Sequence, residues 1–172
     1  MIASEYCFDG KSMVEKKLPM EKVSKTVSRL YAVQALFQME SGDIALEKVK
    51  LEFENYHDQE NNKFNNFVKA DLELFHQILD HTIKHQIFID QSIGILLKSG
   101  WAIERIDPIL RSIFRAASGE FLLETPPKVV INEFLEIAKA FFPTGKEYLL
   151  VNGILDSLAK KNLRKELSPN SL

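Results

Sequence analysis

The sequence predicts an all-α protein, a compact bundle of about six or seven helices. Apolar residues recur at helical spacing in one segment after another. The seven glycines and six prolines stand mostly between those segments, as helix boundaries do. No segment carries a clear strand signal. At 172 residues the chain is long enough to bury a substantial core within one helical unit.

The chain divides into three parts by periodicity. Residues 1–20 show no sustained pattern, so we expect a disordered amino-terminal extension there. Residues 21–165 carry the helical pattern and are predicted to form the folded domain. Residues 166–172 are expected to be a short tail.

The first helix is predicted from about Ser24 to Glu40 and the second over Asp43–Tyr56. The polar, asparagine-rich stretch His57–Asn66 is predicted to be a loop. Phe67–Lys98 follows as one long apolar-periodic run without proline. Because it exceeds the length of a typical globular helix, we expect a break near Gln86–Asp90.

A new helix is predicted to begin at Asp107-Pro108, with the aspartate as its cap and the proline in its first turn. Its apolar residues recur at core spacing through Leu122. Ala116, Ala117 and Gly119 are small, so a neighbouring helix can approach closely on this side.

A helical hairpin is predicted to close the core. Thr125 is expected to cap its first helix and Pro143 to end it. Thr144 and Glu147 have the spacing of a capping box, which predicts that the last helix begins at Thr144. The short link between the two helices requires them to pack antiparallel or at a steep angle.

Composition restricts the classes of function. The formal charge is −2, but six basic residues face two acidic ones between Lys11 and Leu30, whereas residues 40–80 carry ten acidic residues and four lysines. Such asymmetry can direct a polyanion to one face, although terminal lysines can equally be merely solvated. The single cysteine, the lack of a membrane-length apolar run and the lack of a signal peptide predict a cytoplasmic protein.

No catalytic constellation is recognisable, so we predict that the protein is not an enzyme and uses no cofactor. His81 and His85 are four residues apart and could together contact a metal ion, but no second ligand pair accompanies them. Exposed histidines on one helix are the simpler interpretation, and no metal site is predicted. Glycines occur singly, which excludes a phosphate-binding glycine loop.

Three blocks of sequence carry a resemblance to a known family. Residues 29–37 resemble the first helix of the NusB family, residues 101–123 resemble its central helix, and residues 128–133 (KVVINE) with 151–156 (VNGILD) resemble its signature. The three blocks follow one another along the chain in the family's order. This family comprises bacterial transcription antitermination factors that bind boxA RNA. The resemblance implies two helical sub-bundles packed together and a role in transcription of ribosomal RNA operons.

The resemblance implies an RNA face that joins the start of the first helix to the start of the last. Helical spacing predicts one exposed edge for the basic residues of the first helix. A first-turn lysine in the last helix can reach a phosphate, and the neighbouring tyrosine can stack on an unpaired base or pack in the core. Thr26 and Val27 stand where family members often have further arginines, which implies weaker phosphate contact or compensation elsewhere. The predicted RNA-binding residues are Lys22, Lys25, Ser28, Arg29, Lys146 and Tyr148.

The resemblance also implies a protein partner, the ribosomal small-subunit protein NusE, and through it an indirect association with transcribing RNA polymerase. A homodimer is a further state that some family members adopt. Glu104, Arg105 and Arg111 are predicted to contact the partner. Arg111 and Arg115 could instead form ion pairs with Glu104 or Glu120. The alternative function is a helical protein–protein interaction module that does not bind RNA.

Overall fold

The computed structural model describes residues 4–9, 12–17, 19–63, 68–97 and 102–167. Helices dominate the described chain, so the predicted all-α class is confirmed for the folded body. The division into two sub-bundles is compatible with this arrangement and stays a prediction. The helices are α1 (Met20–Gly42), α2 (Leu46–Lys63), α3 (Leu72–Lys84), α4 (Gln86–Leu96), α5 (Pro108–Phe121), α6 (Pro127–Phe141), α7 (Glu147–Lys161) and the short α8 (Leu163–Glu166), with a 3-10 turn at Ile103–Arg105.

The amino-terminal segment contains two strands, β1 (Ser4–Asp9) and β2 (Ser12–Lys17), which pair antiparallel with Ser4 opposite Lys17. The sequence carried no strand signal here, so this hairpin was missed. A two-stranded hairpin by itself is only marginally stable in water. The expectation that residues 1–20 are disordered therefore stays a prediction.

Helix α5 is the centre of the core and packs against α1, α3, α4, α6, α7 and α8. Its start is the one that the sequence predicts: the Asp107 carboxylate accepts from the N–H of Ile109 at 2.7 Å, and Pro108 stands in the first turn. Burial along α5 is nearly continuous, because helices cover it on several sides. Three fully buried aromatic rings fill the space between neighbouring helices: Phe75 of α3, Phe114 of α5 and Phe134 of α6.

At Gly119 the helices α3 and α5 approach each other closely. An added Cβ at this position would stand 2.8 Å from the carbonyl oxygen of Ile78 and even closer to the hydroxyl of Thr82, both on α3. The Thr82 hydroxyl donates to the carbonyl of Arg115 across the same contact. The prediction of close packing on this side of α5 is confirmed.

Several predicted boundaries differ from the structure, including the starts of α1 and α2, which lie at Met20 and Leu46 rather than at Ser24 and Asp43. The break in the long middle segment falls at His85, just before the predicted interval. The loop predicted over residues 57–66 is wrong through Lys63, because α2 continues to that residue. Polar composition cannot separate an exposed helix end from a loop, since both are solvated.

The two predicted caps of the carboxy-terminal hairpin are wrong. Helix α6 begins at Pro127, and its cap position is Pro126 rather than Thr125. Helix α7 begins at Glu147, with Lys146 at the cap position and no side-chain cap. The chain uses Phe142 to Gly145 to reverse direction, including a bond from the Gly145 N–H to the Phe142 carbonyl at 3.4 Å. Thr144 therefore lies in the turn and cannot form a capping box with Glu147.

Candidate nucleic-acid interface

The start of α1 presents two cations to solvent. Lys22 is exposed, and the Lys25 side chain is 41% exposed. The Lys25 ammonium donates to the Glu21 carboxylate at 2.8 Å, one helical turn earlier. This hydrogen bond and the charge of Glu21 raise the pKa of Lys25, and the same hydrogen bond and the charge of Lys25 lower the pKa of Glu21. Both groups are therefore charged at neutral pH, and Lys25 shares its charge with a carboxylate.

Arg29 does not lie on this exposed edge, so that part of the prediction is wrong. Only 3% of Arg29 is exposed. Its guanidinium donates two hydrogen bonds to the fully buried carboxylate of Glu120, from Nε at 2.8 Å and from Nη2 at 2.7 Å. A third, from Nη1, reaches Glu133 at 3.3 Å. Arg29 thus joins α1 to α5 and α6 inside the protein.

Ser28 is also buried, contrary to its predicted place beside the exposed lysines. Its hydroxyl donates to the carbonyl oxygen of Asp71 at 2.7 Å. The N–H of Asp71 in turn donates to the carbonyl oxygen of Ser24 at 3.4 Å. These bonds attach the segment before α3 to the side of α1. Ser28 has no exposed surface with which to contact RNA.

The Thr26 side chain forms its hydrogen bond inside the molecule. Its hydroxyl lies 2.5 Å from the Glu133 carboxylate, the same group that Arg29 contacts. A periodic pattern on one helix cannot reveal such a partner more than 100 residues away in the sequence. The signal that could have revealed it is chemical: Glu120 and Glu133 are acidic residues at otherwise apolar helix positions, and a buried carboxylate needs a cation.

Lys146 and Tyr148 lie at the start of α7, as predicted, although Lys146 is the cap residue and not part of the first turn. Lys146 is exposed, whereas Tyr148 is partly buried and packs against the core. Core packing, the alternative to base stacking for Tyr148, therefore describes its position in the structure. Leu149, beside Tyr148, is 55% exposed.

A groove of about 480 Å³ lies between α1, the start of α5 and the end of α6. Its walls include Phe37 of α1 and Phe141, the last residue of α6, with the side chains of Gln34 and Gln38 nearby. Phe37 is 37% exposed. Lys22 lies fifteen residues before Phe37, or about 22 Å along a helix. The groove therefore lies beside the carboxyl half of α1, away from Lys22 at the start of that helix.

The predicted partner face is only partly exposed. Glu104 and Arg105 project from the 3-10 turn into solvent. Arg111 is only 6% exposed, so its prediction as a surface contact is wrong. It donates to the carbonyls of Ile103 and Ile106, at 2.8 and 3.3 Å, and thereby supports the turn from below.

Arg111 and Arg115 form ion pairs, but not with the acids that the sequence suggested. Both contact the carboxylate of Glu40 near the end of α1. Arg115 also pairs with Asp90 of α4 through two hydrogen bonds of 2.8 Å. Hydrogen bonds to Asp90 and the charges of Asp90 and Glu40 outweigh burial and raise the pKa of Arg115. The network joins α1, α4, α5 and the turn.

The histidine pair lies at the carboxyl end of α3. The rings of His81 and His85 lie 6.2 Å apart, and burial, with the charges of Lys84 and His81, lowers the pKa of His85. Within the described ranges, no three histidine, cysteine, aspartate or glutamate residues are grouped so that they could hold a metal ion. No helix in that part of the chain is long and apolar enough to cross a membrane.

Known proteins resemble this chain over most of its length. The model of the NusB family matches residues 26–160. A protein named transcription antitermination protein NusB from Bartonella quintana (strain Toulouse) is 40% identical over 136 residues, which cover 78% of this chain and 86% of that protein. A protein of the same name from Gluconobacter oxydans (strain 621H) is 38% identical over 141 residues, covering 80% and 88%. A solved structure of T. maritima NusB has a TM-score of 0.62 at 30% identity and covers 87% of this chain and 96% of that one.

Proposed function

This chain belongs to the NusB family, and from that membership we propose that it is a non-enzymatic transcription antitermination factor. In this role it binds single-stranded boxA-type RNA together with NusE in the cytoplasm and supports transcription of ribosomal RNA operons. The observation that carries the proposal is the 40% identity to a protein named for antitermination, over 78% of the chain.

The exposed cations at the start of α1 support RNA binding. Lys22 and Lys25 occupy the place of the family's basic segment and are accessible to a phosphate backbone. Two or three such contacts predict weak, salt-dependent binding, because each phosphate contact releases counterions. A protein partner that adds RNA-binding surface would raise the combined affinity. The near-neutral total charge agrees with a short cationic surface.

The RNA is proposed to be single-stranded, because an A-form duplex hides its base edges from side chains. The groove beside Phe37 and Phe141 offers aromatic surface on which an unpaired base can stack, with Gln34 and Gln38 as nearby hydrogen-bonding groups. Lys146, which follows the end of α6 by five residues, is proposed to contact a phosphate at that end. Tyr148 is proposed to contact the RNA only through the edge of its side chain, because its ring packs against the core.

Replacing both Lys22 and Lys25 by glutamine is expected to weaken binding of boxA-type RNA and to flatten its salt dependence. The slope of log K against log salt should fall by about 1.4, at about 0.7 for each lost contact with a single strand. Filter binding over a salt series measures both quantities. The matched control is the double variant Lys84→Gln/Lys160→Gln, which removes the same charge from exposed positions on α3 and α7. Equal affinity and slope in the two double variants would contradict the RNA face.

The same filter assay separates the alternative function. A helical interaction module without RNA binding would retain no boxA-type RNA, either alone or with NusE present. An antitermination factor should retain the RNA alone at low salt and more strongly with NusE.

Exchanging the charges of the turn, Glu104→Lys with Arg105→Glu, is expected to weaken NusE binding by about tenfold, or ~1.4 kcal/mol, while RNA binding by this chain alone is unchanged. Both side chains are exposed, so the exchange should not disturb the fold, and it leaves the net charge unchanged. Calorimetric titration with NusE measures the effect. The control exchanges the exposed pair Glu136 and Lys139 on α6 in the same way. An unaltered affinity would remove the turn from the proposed interface.

A further inference from the structure

The start of α1 has fewer free cations than the family's basic segment implies. Arg29 is buried between two carboxylates, and Thr26 contacts one of the same carboxylates. Of the remaining two cations, Lys25 shares its charge with Glu21. A phosphate backbone at this site would therefore meet little net positive charge from α1 alone. Compensation must come from another segment that lies beside this helix.

The segment before α3 lies in that position. Ser28 and Ser24 of α1 bond the backbone of Asp71, at 2.7 Å to its carbonyl and 3.4 Å from its N–H. The Asp71 carboxylate accepts from the Leu74 N–H at 3.0 Å and thereby caps α3. Asp71 is thus hydrogen-bonded both to the side of α1 and to the first turn of α3. Its position relative to Lys25 is set by these bonds.

Lys69 stands two residues before Asp71, so their Cα atoms are no more than about 7 Å apart. Lys69 is exposed, and no ion pair joins it to another residue of the described chain. Lys25 directly follows Ser24, whose carbonyl accepts from the Asp71 N–H at 3.4 Å. After the hydrogen bond and charge of Glu21, the charge of Asp71 contributes to raising the pKa of Lys25. Because Lys69 precedes Asp71 by two residues, the bond between Ser24 and Asp71 places the backbones of both lysines near the same attachment.

We propose that Lys69 is a further phosphate-binding residue, so that the RNA-binding surface of this protein combines α1 with the segment before α3. This inference rests on the proposed RNA binding and adds to it a contact that compensates for the buried Arg29 and the uncharged Thr26. Lys22, Lys25 and Lys69 together form what we call the three-lysine surface.

Acidic groups near this surface do not cancel the three cations. The Asp71 carboxylate faces the amino terminus of α3, where the free N–H groups and the helix dipole offset its charge. Glu73 accepts a hydrogen bond from Gln77 within the helix. Glu21 is the only one of these acids that pairs with a lysine of the surface among the described residues. A phosphate that approaches Lys69 and Lys25 can displace that exposed pair at little cost.

The test is filter binding of a 12-nucleotide single-stranded boxA-type RNA to the full chain over a salt series. Lys69→Gln is expected to weaken binding several-fold at low salt and to lower the salt slope by about 0.7. Lys69→Arg should retain the affinity of the unaltered chain. The matched control is Lys84→Gln, which removes the same charge at the opposite end of α3, about 20 Å away.

A second variant tests the geometry. Ser28→Ala removes the bond to the Asp71 carbonyl and should release the segment that carries Lys69, so that Lys69→Gln costs less in this background than in the unaltered chain. RNA binding by the unaltered chain, with equal affinity and slope for Lys69→Gln and Lys84→Gln, would overturn the inference and leave the proposed function standing. Absence of RNA binding by the unaltered chain, with and without NusE, would instead overturn the proposed function.

Discussion

Arg29→Ala is expected to lower the free energy of unfolding by about 3–5 kcal/mol, which is a large fraction of the stability of a small domain. The substitution leaves the Glu120 carboxylate, which is fully buried, without its two charge-assisted hydrogen bonds. Glu133 loses its ion pair at the same time. Urea unfolding followed by circular dichroism measures the change.

The matched control for Arg29 is Lys22→Ala on the same helix, which is exposed and should change stability by less than about 0.5 kcal/mol. Arg29→Lys should fall between the two, because an ammonium keeps the charge but cannot form the paired hydrogen bonds of a guanidinium. A loss below about 1 kcal/mol for Arg29→Ala would show that the buried ion pair contributes little in solution. One practical consequence is that loss of RNA binding after a change at Arg29 would report damage to the fold and not a lost phosphate contact.

Gly119→Ala is expected to destabilise the protein by about 2–3 kcal/mol, although alanine is the better helix former. The new methyl group would stand 2.8 Å from the Ile78 carbonyl and would collide with the Thr82 hydroxyl. Backbone cannot yield cheaply, so α3 and α5 must separate and the Thr82 bond to the Arg115 carbonyl must lengthen. Thermal and urea unfolding measure this loss.

Gly153→Ala in the middle of α7 is the control for Gly119. Apart from the adjacent residues and the nearby backbone of α7 itself, no atom lies within 4 Å of a Cβ built there. The same chemical change should therefore stabilise the protein by about 0.5–1 kcal/mol through helix propensity alone. If both glycine variants gained stability, the close contact between α3 and α5 would not exist in solution.

The sequence predicts those parts of the fold that depend on local signals. The cap and proline at Asp107-Pro108 place the start of α5 correctly, since the cap bonds are formed within the first turn. The small residue Gly119 correctly indicates a close helix contact. Length alone predicts a break in the middle segment, which falls at His85. The blocks shared with the NusB family predict the fold as a whole.

The candidate site is less predictable, because its geometry depends on partners that are distant in the sequence. Lys25 and Arg29 are four residues apart and look equivalent on a helical wheel, yet one is accessible and the other is buried. What separates them is the position of Glu120 and Glu133, which only the packing of α5 and α6 determines. Lys69 was missed for the same reason, since its proximity to α1 depends on bonds between Ser28 and Asp71. A sequence pattern describes one helix face at a time, whereas a binding surface is assembled from several segments.

The placement of Glu40 near the far end of α1 has a consequence for how long the RNA must be. Glu40 forms an ion pair with Arg111, and Arg111 also donates to the turn that carries Glu104 and Arg105. Helix α1 therefore extends from the three-lysine surface to the proposed docking turn. Fifteen residues separate Lys25 from Glu40, which corresponds to about 22 Å along a helix. At 3.4 Å per stacked nucleotide, a strand needs about seven nucleotides to cover that distance. Oligonucleotides shorter than this would contact only one end of α1, so a partner bound at the other end of the helix would not add to their affinity.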